Sequence, residues 1–325
     1  MLIAVFVVVV GLALLVWGAD RFVDGAVAAA RNLGVSPLVA GLILVGFGTS
    51  APEMVVSAMA AWGGNTGISI GNAVGSNITN IALVIGAAAL MRPLTIHSRL
   101  LRRELPILIA AMLVALAMLA DGDLGRLDGL VLLCGFAMVV YWMLRAARAP
   151  GTAAAGDGDA LAVEFAGELS AGSMSTARAL AWTAAGLVVL LVSSRRLVWG
   201  AVEIAQLFGV SDLIIGLTVV AVGTSLPELA ATVSAALKGE DDIAIGNVVG
   251  SNTFNILAVL GLPGLIGPGP FAPEVLSRDF PVMIALTVAF VAMAYGFRGE
   301  GRVNRIDGAL LLGAFVGYLG WLGVG

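Results

Sequence analysis

A short segment with one glutamate occurs twice in this chain, inside two otherwise apolar stretches. The first copy reads GFGTSAPE and ends at Glu53, and the second reads AVGTSLPE and ends at Glu228, 175 residues later. An ionisable side chain near the centre of a bilayer costs roughly 2.5–3.5 kcal/mol on insertion scales, and a proline interrupts helical hydrogen bonding. Two matched copies predict a cation site that two interrupted helices build together.

The composition places the chain in a membrane. Hydrophobic residues make up 60% of the 325 residues, charged residues make up 12%, and the mean hydropathy is +1.04. Soluble globular proteins are about 45–50% apolar and about 25% charged, so the sequence predicts an all-α integral membrane protein. Ten apolar stretches are long enough to cross ~30 Å of hydrocarbon as helices. These predicted spans are residues 2–18, 37–61, 68–91, 105–120, 128–144, 180–199, 213–237, 243–266, 280–297 and 306–323.

The repetition extends far beyond the two glutamate segments. At the same offset, the two parts of the chain continue to match as far as Pro106 and Pro281. A further shift of four residues aligns Asp128 with Asp307. Agreement over so long a stretch predicts an internal duplication.

A polar stretch divides the two copies. Residues 150–178 are small, polar and aperiodic, which is the composition of a flexible linker. They separate a first five-helix repeat, 1–149, from a second, 179–325. The glutamate segments and the polar blocks that follow them form an α1 motif at 41–90 and an α2 motif at 216–265.

The odd number of spans in each repeat has a geometrical consequence. The second repeat must enter the membrane from the opposite side to the first, as in the inverted repeats of many secondary transporters. We therefore expect two inverted five-helix repeats, with broken helices 2 and 7 meeting at the midplane of the bilayer.

Each repeat has a second polar block after its glutamate. Ser76 and Asn80 are four residues apart, as are Ser251 and Asn255, so each pair lies on one face of its helix. Glycines in the same blocks are predicted to let helices approach closely. These glycines are Gly71, Gly75, Gly246 and Gly250.

The ligands that these segments offer are all oxygen atoms. Two carboxylates with hydroxyl, amide and carbonyl oxygens suit a hard cation such as Ca²⁺, which takes about 6–8 oxygen ligands. These segments are poor binding sites for zinc or copper, because no Cys or His lies near either segment. Two carboxylates neutralise one divalent cation or are shared by several monovalent cations.

The paired segments and the blocks GNAVGSNITN and GNVVGSNTFN resemble the two α-repeats of the sodium/calcium exchanger family, within the cation/calcium exchanger superfamily. The resemblance covers both repeats and implies that Glu53 and Glu228 are the central calcium ligands. It also implies hydroxyl or carbonyl ligands of flanking sodium sites at Thr49, Ser50, Thr224, Ser225, Gly46 and Ala221. The residues that it places at the border of the central site are Asn80, Asn255, Ser76 and Ser251. Some relatives carry Asp where this chain has Asn255, and the missing charge argues against potassium dependence.

The function that the resemblance implies is secondary active antiport of Na⁺ against Ca²⁺ by alternating access, with net charge movement if more than two Na⁺ exchange for one Ca²⁺. We expect no cofactor, no enzymatic activity and no nucleic-acid or protein partner. The expected partners are the transported Ca²⁺ and Na⁺ and the lipid bilayer. A Ca²⁺/H⁺ antiporter of the same superfamily is the main alternative, and a passive cation channel is the next. An intramembrane enzyme is disfavoured, because the single histidine, His97, is remote from both segments.

The basic residues predict an orientation. With both termini outside, thirteen of the 17 Lys and Arg residues fall in cytoplasmic loops or the linker, as the positive-inside rule requires. We expect a multi-pass protein of a bacterial inner membrane, with 150–178 cytoplasmic. Three smaller expectations are a buried packing role for Cys134, a solvated turn at 240–242, and helix starts at Asp128 and Asp307.

Overall fold

The computed structural model describes residues 2–34, 41–64, 66–96, 101–148, 174–207, 221–295 and 301–324, and these are almost entirely helical. The first five helices are α1 (Leu2–Leu33), α2 (π-helical Gly41–Val45, then Gly46–Trp62), α3 (Thr66–Thr79, π-helical Asn80–Ile85, Gly86–Met91), α4 (Leu101–Met118, then 3₁₀ Leu119–Asp121) and α5 (Arg126–Arg148). The others are α6 (Thr176–Leu207), α7 (Ala221–Thr224, then Leu226–Leu237), α8 (Asp241–Phe254, π-helical Asn255–Val259, Gly261–Ile266), α9 (π-helical Val275–Asp279, then Phe280–Tyr295) and α10 (Arg305–Val324).

The predicted all-α membrane class is confirmed. Eight helices of the described residues are long and apolar enough to cross a membrane. The exceptions are α2 and α7, the two helices that carry the glutamates, and the residues before each, 35–40 and 208–220, lie outside the described part of the chain. A count of ten spans therefore stays a prediction.

Helices α1 and α6 are each 32 residues long, so the predicted bounds of 2–18 and 180–199 were too short. Helix α1 continues past its apolar part because its later carboxylates have a cationic partner. The Lys238 ammonium lies 2.6 Å from both Asp20 and Asp24. A hydropathy pattern marks the hydrocarbon-spanning part of a helix, but not the ion-paired turns beyond it.

The same two helices pack closely along each other and run antiparallel. A Cβ on Gly25 would collide with the backbone of Thr183, and a Cβ on Gly200 would lie 3.0 Å from the Ala4 carbonyl. Gly25 and Gly200 are equivalent at the offset of 175. Equivalent helices that run in opposite directions are what inverted repeats produce.

Two short strand pairs, which the sequence did not predict, join one half of the chain to the other. Strands β1 (Leu94–Ile96) and β4 (Gly301–Val303) pair antiparallel, and so do β2 (Asp123–Leu124) and β3 (Gly269–Pro270). The offset of 175 places β1 on β3, and the offset of 179 places β2 on β4. The two pairs are therefore equivalent contacts between the halves.

The centre of the molecule is α8, whose residues 243–261 are all buried. Its close approach to α2 depends on glycine, because a Cβ on Gly250 would lie 2.6 Å from the Leu42 carbonyl oxygen. The predicted role of this glycine in close packing agrees with the structure. A Cβ added to Gly71 or Gly75 would have no described residue within 4 Å, and their symmetry-equivalent neighbours fall in 208–220, outside the described residues.

The smaller expectations had mixed outcomes. Cys134 is exposed on the surface of α5, so the predicted buried role was wrong. The Asp128 carboxylate accepts the Gly125 amide at 2.7 Å, and Asp307 accepts the Asn304 amide at 2.9 Å, so both mark helix starts as predicted. His97 lies outside the described residues.

The acidic run at the start of α8 is not a solvated turn. Asp241 is 6% exposed and lies 2.6 Å from the Arg92 guanidinium, and it also accepts the Thr95 amide at 2.9 Å. Glu240 pairs with Arg31 at 3.3 Å. Burial raises the pKa of Glu240, and Arg31 partly opposes that rise. The prediction failed because the cationic partners lie 149 and 209 residues away along the chain.

Candidate cation-binding site

The two helices that carry the glutamates are interrupted in different ways. Helix α2 changes from π-helical to α-helical at Gly46 and then runs through Pro52 without a gap. Helix α7 is broken at Ser225, and Pro227 occupies the first turn of the segment that follows, where a proline is tolerated. The predicted break is therefore present in helix 7, while helix 2 has a change of helical pitch instead. Pro52 still releases one carbonyl, because it has no N–H to donate.

Both glutamate side chains are buried and face a common space. Glu53 is 1% exposed and Glu228 is fully buried. The Ser50 hydroxyl, one turn before Glu53 on α2, lies 3.4 Å from a carboxylate oxygen of Glu228. The segment Gly46–Trp62, which carries Glu53, packs against Leu226–Leu237, which carries Glu228. The structure thus brings together the two acidic residues that the sequence predicted as a pair.

Two asparagines fix the backbone at the glutamates, and the sequence analysis assigned them no role. The Asn72 side chain donates a hydrogen bond to the Glu53 carbonyl over 3.1 Å. The equivalent Asn247 donates to the Glu228 carbonyl over 3.3 Å, and also to the Thr232 hydroxyl over 2.8 Å. The signal was present in the sequence as the repeated Gly-Asn pair that opens each polar block.

The predicted oxygen ligands of the first half lie against α8. The Thr49 hydroxyl is 3.0 Å from the Val45 carbonyl and 3.1 Å from the Asn247 side-chain oxygen. The Ser251 hydroxyl donates to the Gly46 carbonyl over 3.3 Å. The predicted positions Thr49, Gly46 and Ser251 therefore form one hydrogen-bonded group between α2 and α8.

The second-half positions are arranged less symmetrically. Ser225 is buried at the break in α7, and its hydroxyl has no hydrogen-bond partner among the described residues. Thr224 is half-buried on the preceding turn. Ala221 begins the first segment of α7, and Ser76 is buried on α3.

The two border asparagines occupy equivalent positions in the fold. Asn80 begins the π-helical segment of α3, and Asn255 begins that of α8. The segment beginning at Asn80 packs against Leu226–Leu237, which carries Glu228, whereas the segment beginning at Asn255 packs against Gly46–Trp62, which carries Glu53. Short π-helical turns inside α-helices are frequent at functional sites. In each half, the segment that begins with this asparagine therefore packs against the glutamate helix of the other half.

Several buried oxygen atoms at this place accept or donate no hydrogen bond within the described residues. They are both carboxylate oxygens of Glu53, one of Glu228, the Ser225 hydroxyl, and the side-chain oxygens of Asn80 and Asn255. Buried polar atoms without partners are costly, which points to a ligand that they share. No three His, Cys, Asp or Glu side chains of the described ranges cluster as a metal site. An oxygen-only set with two carboxylates fits a hard cation rather than a transition metal.

The comparison with known families agrees with this chemistry. The sequence profile of the family described as Sodium/calcium exchanger protein matches residues 3–145 and 178–324. The chain belongs to this family. Its predicted membership of the cation/calcium exchanger superfamily is thereby confirmed, and the molecule is a multi-pass membrane cation exchanger.

Relatives of this exchanger match it over nearly its full length. It is 49% identical to the putative antiporter CaxA of Alkalimonas amylolytica, with 98% of each chain covered. It is 41% identical to the inner membrane protein YrbG of Escherichia coli (99% of this chain, 97% of the relative) and 35% identical to the sodium/calcium exchanger MaX1 of Methanosarcina acetivorans (96% of each). A solved structure of the sodium-calcium exchanger NCX_Mj, soaked with 2.5 mM Na⁺ and 0.1 mM Ca²⁺, superposes with a TM-score of 0.80 at 31% identity over 97% of both chains.

Proposed function

We propose that this exchanger transports Ca²⁺ in one direction and Na⁺ in the other, through overlapping sites at Glu53 and Glu228. The observation that carries the proposal is the convergence of two buried carboxylates from different halves of the chain. The remaining predicted ligands are Thr49, Ser50, Thr224 and Ser225, with the carbonyls of Gly46 and Ala221. Asn80, Asn255, Ser76 and Ser251 border the site.

The negative charge of the two glutamates explains why transport of one cation is coupled to transport of another. Two carboxylates that face each other in a low-dielectric environment repel, so the empty site is unfavourable unless it binds a cation or protons. One Ca²⁺ or several Na⁺ relieve that repulsion. Occupancy by either cation therefore permits the conformational switch that the empty site resists.

The helices that move are proposed to be α1 and α6. Neither carries a predicted ligand, and the two pack along each other through close glycine contacts. The pair can therefore slide past the helices of the site as one unit and open it to either side in turn. If more than two Na⁺ exchange for one Ca²⁺, transport moves net charge and responds to the membrane potential.

We further propose that both termini face outwards and that the protein resides in a bacterial inner membrane. The distribution of Arg and Lys supports this orientation. The repeats would then be 1–149 and 179–325, with 150–178 in the cytoplasm.

The test is Ca²⁺ uptake by purified protein in liposomes with one ion varied at a time. Vesicles loaded with Na⁺ should take up Ca²⁺, and replacing internal Na⁺ with choline should abolish uptake even under an imposed pH gradient. Uptake that continues in choline and follows the pH gradient would establish Ca²⁺/H⁺ antiport instead. Uptake that needs neither counter-ion would establish a passive channel.

A further inference from the structure

Four asparagines lie where α3 and α8 cross at the centre of the molecule. Asn77, Asn80, Asn252 and Asn255 are each at most 1% exposed. The Asn77 side chain donates to the Asn252 carbonyl over 3.3 Å, and the Asn252 side chain donates back to the Asn77 carbonyl over 3.5 Å. Asn77 and Asn252 are equivalent in the repeat, so this reciprocal pair joins the two halves at their crossing.

Beyond this pair the symmetry ends. The Asn80 amide nitrogen donates to the side-chain oxygen of Asn252 over 3.0 Å. The equivalent bond would run from Asn255 to the side-chain oxygen of Asn77, but that oxygen accepts no hydrogen bond from the described residues. Asn252 therefore holds Asn80, whereas Asn77 does not hold Asn255.

A carboxamide held through its nitrogen has its oxygen fixed as well. Because Asn80 donates to Asn252, its own side-chain oxygen points away from that bond, and it is buried without a partner among the described residues. Both carboxylate oxygens of Glu53 and one of Glu228 are likewise buried without a hydrogen-bond partner among the described residues. An amide oxygen is a suitable ligand for a hard cation, so a fixed Asn80 is ready to bind one.

We propose that Asn252 is a positioning residue, which sets the cation affinity of the site by orienting Asn80 and does not itself touch the cation. This rests on the proposed function, because it assumes that the cation binds beside Glu53 and Glu228. Residues that orient a metal ligand commonly change metal affinity by about 10–100-fold when they are replaced. The asymmetry of the crossing assigns this role to Asn252 and not to its equivalent, Asn77.

The repeat supplies a matched control. Asn252→Ala and Asn77→Ala each remove one bond of the reciprocal pair, but only Asn252→Ala releases Asn80. The readout is the dissociation constant of the purified protein for ⁴⁵Ca²⁺, measured without Na⁺ and at fixed pH so that no counter-ion competes. We expect Asn252→Ala to raise it about tenfold, and Asn77→Ala to change it less than about twofold, with similar losses of thermal stability. Asn252→Ser, whose hydroxyl can bond back to its own helix and is too short to reach Asn80, keeps a polar side chain at this position and should repeat the tenfold effect.

A double variant separates orientation of Asn80 from any other effect. If Asn252 acts through Asn80, then Asn80→Ala with Asn252→Ala should bind Ca²⁺ no more weakly than Asn80→Ala alone. Independent, multiplying effects in the double variant would overturn the inference, and so would an equal loss of affinity in Asn77→Ala. A different outcome would separate the two proposals. If the variants show the expected affinities but the wild type shows no Na⁺-driven Ca²⁺ uptake, the role of Asn252 stands and the proposed Na⁺/Ca²⁺ exchange is contradicted.

Discussion

At the scale of single residues, the site combines groups that the sequence marks clearly with groups that it marks only faintly. Glu53 and Glu228 are conspicuous, because a carboxylate in an apolar stretch requires an explanation. Asn72 and Asn247 are not, because an asparagine in a membrane helix often only joins helices. Their hydrogen bonds to the glutamate carbonyls depend on how two neighbouring helices pack, which the sequence alone does not show.

Ser50 should matter for Na⁺ more than for Ca²⁺. Its hydroxyl lies 3.4 Å from Glu228, and we expect Ser50→Ala to remove one ligand of a sodium site while leaving both carboxylates for Ca²⁺. The Na⁺ concentration for half-maximal Ca²⁺ release from loaded vesicles should rise roughly tenfold, which corresponds to about 1.4 kcal/mol.

The control for this variant is on the same helix. Two turns away from Ser50, the Ser57 hydroxyl donates to the Ser69 carbonyl over 3.1 Å, and the Ser69 hydroxyl donates to the Ser57 carbonyl over 2.9 Å. Ser57→Ala should therefore alter thermal stability and leave the Na⁺ dependence unchanged. An equal shift in both variants would mean that Ser50 acts through helix packing.

At the scale of elements, the sequence predicted which stretches are helical and apolar but not how they end or meet. The lengths of α1 and α6 were underestimated, because charged turns continue each helix beyond its apolar part. The break was expected in both helices, but only α7 is interrupted. Helix α2 begins with the π-helical segment Gly41–Val45 and then runs through Pro52 without a gap. The error for α1 comes from ion pairs with Lys238, which is distant along the chain.

Close packing of α2 on α8 should be sensitive to a single methyl group. A Cβ on Gly250 would lie 2.6 Å from the backbone oxygen of Leu42, so Gly250→Ala must separate the two helices. We expect a loss of about 1–3 kcal/mol in stability, seen as a lower melting temperature in detergent, together with weaker Ca²⁺ binding.

Gly313→Ala is the matched change on an outer helix. No described residue lies within 4 Å of a Cβ at Gly313, and the residue is exposed on α10. Because alanine favours a helix over glycine by roughly 0.5–1 kcal/mol, this variant should be as stable as the wild type or slightly more so. If Gly250→Ala has the same melting temperature and Ca²⁺ binding as Gly313→Ala, α2 and α8 do not pack as closely as described.

The ion pair at the start of α8 should contribute far more than the ion pairs at the surface. Arg92 lies 2.6 Å from Asp241, which is buried, so Arg92→Met leaves a buried carboxylate without its cationic partner. Losses of about 3 kcal/mol are typical of such changes. Arg21→Met removes a 3.5 Å pair with the half-buried Asp24, which keeps Lys238 as a partner, and should cost less than about 1 kcal/mol. Equal melting temperatures for the two variants would contradict this ranking.

At the scale of the whole molecule, the two halves meet through equivalent contacts. The antiparallel packing of α1 on α6, the two strand pairs and the paired asparagines of α3 and α8 each map onto themselves or onto one another under the repeat offsets. Much of this was predictable, because the duplication and the odd number of spans are visible in the sequence. The departures from symmetry were not predictable. They include the hydrogen bond from Asn80 to Asn252, which has no counterpart at Asn255 among the described residues, and the ion pair between Arg92 and Asp241.

The central claim is that Glu53 and Glu228 together bind the transported cation, and ⁴⁵Ca²⁺ uptake into Na⁺-loaded liposomes tests it most directly. We expect Glu53→Gln and Glu228→Gln each to reduce uptake to the level of protein-free vesicles, because either change leaves one carboxylate for a divalent cation. Glu203→Gln, which replaces an exposed carboxylate on α6, should transport like the wild type. Uptake at the wild-type rate by either of the first two variants would contradict the account.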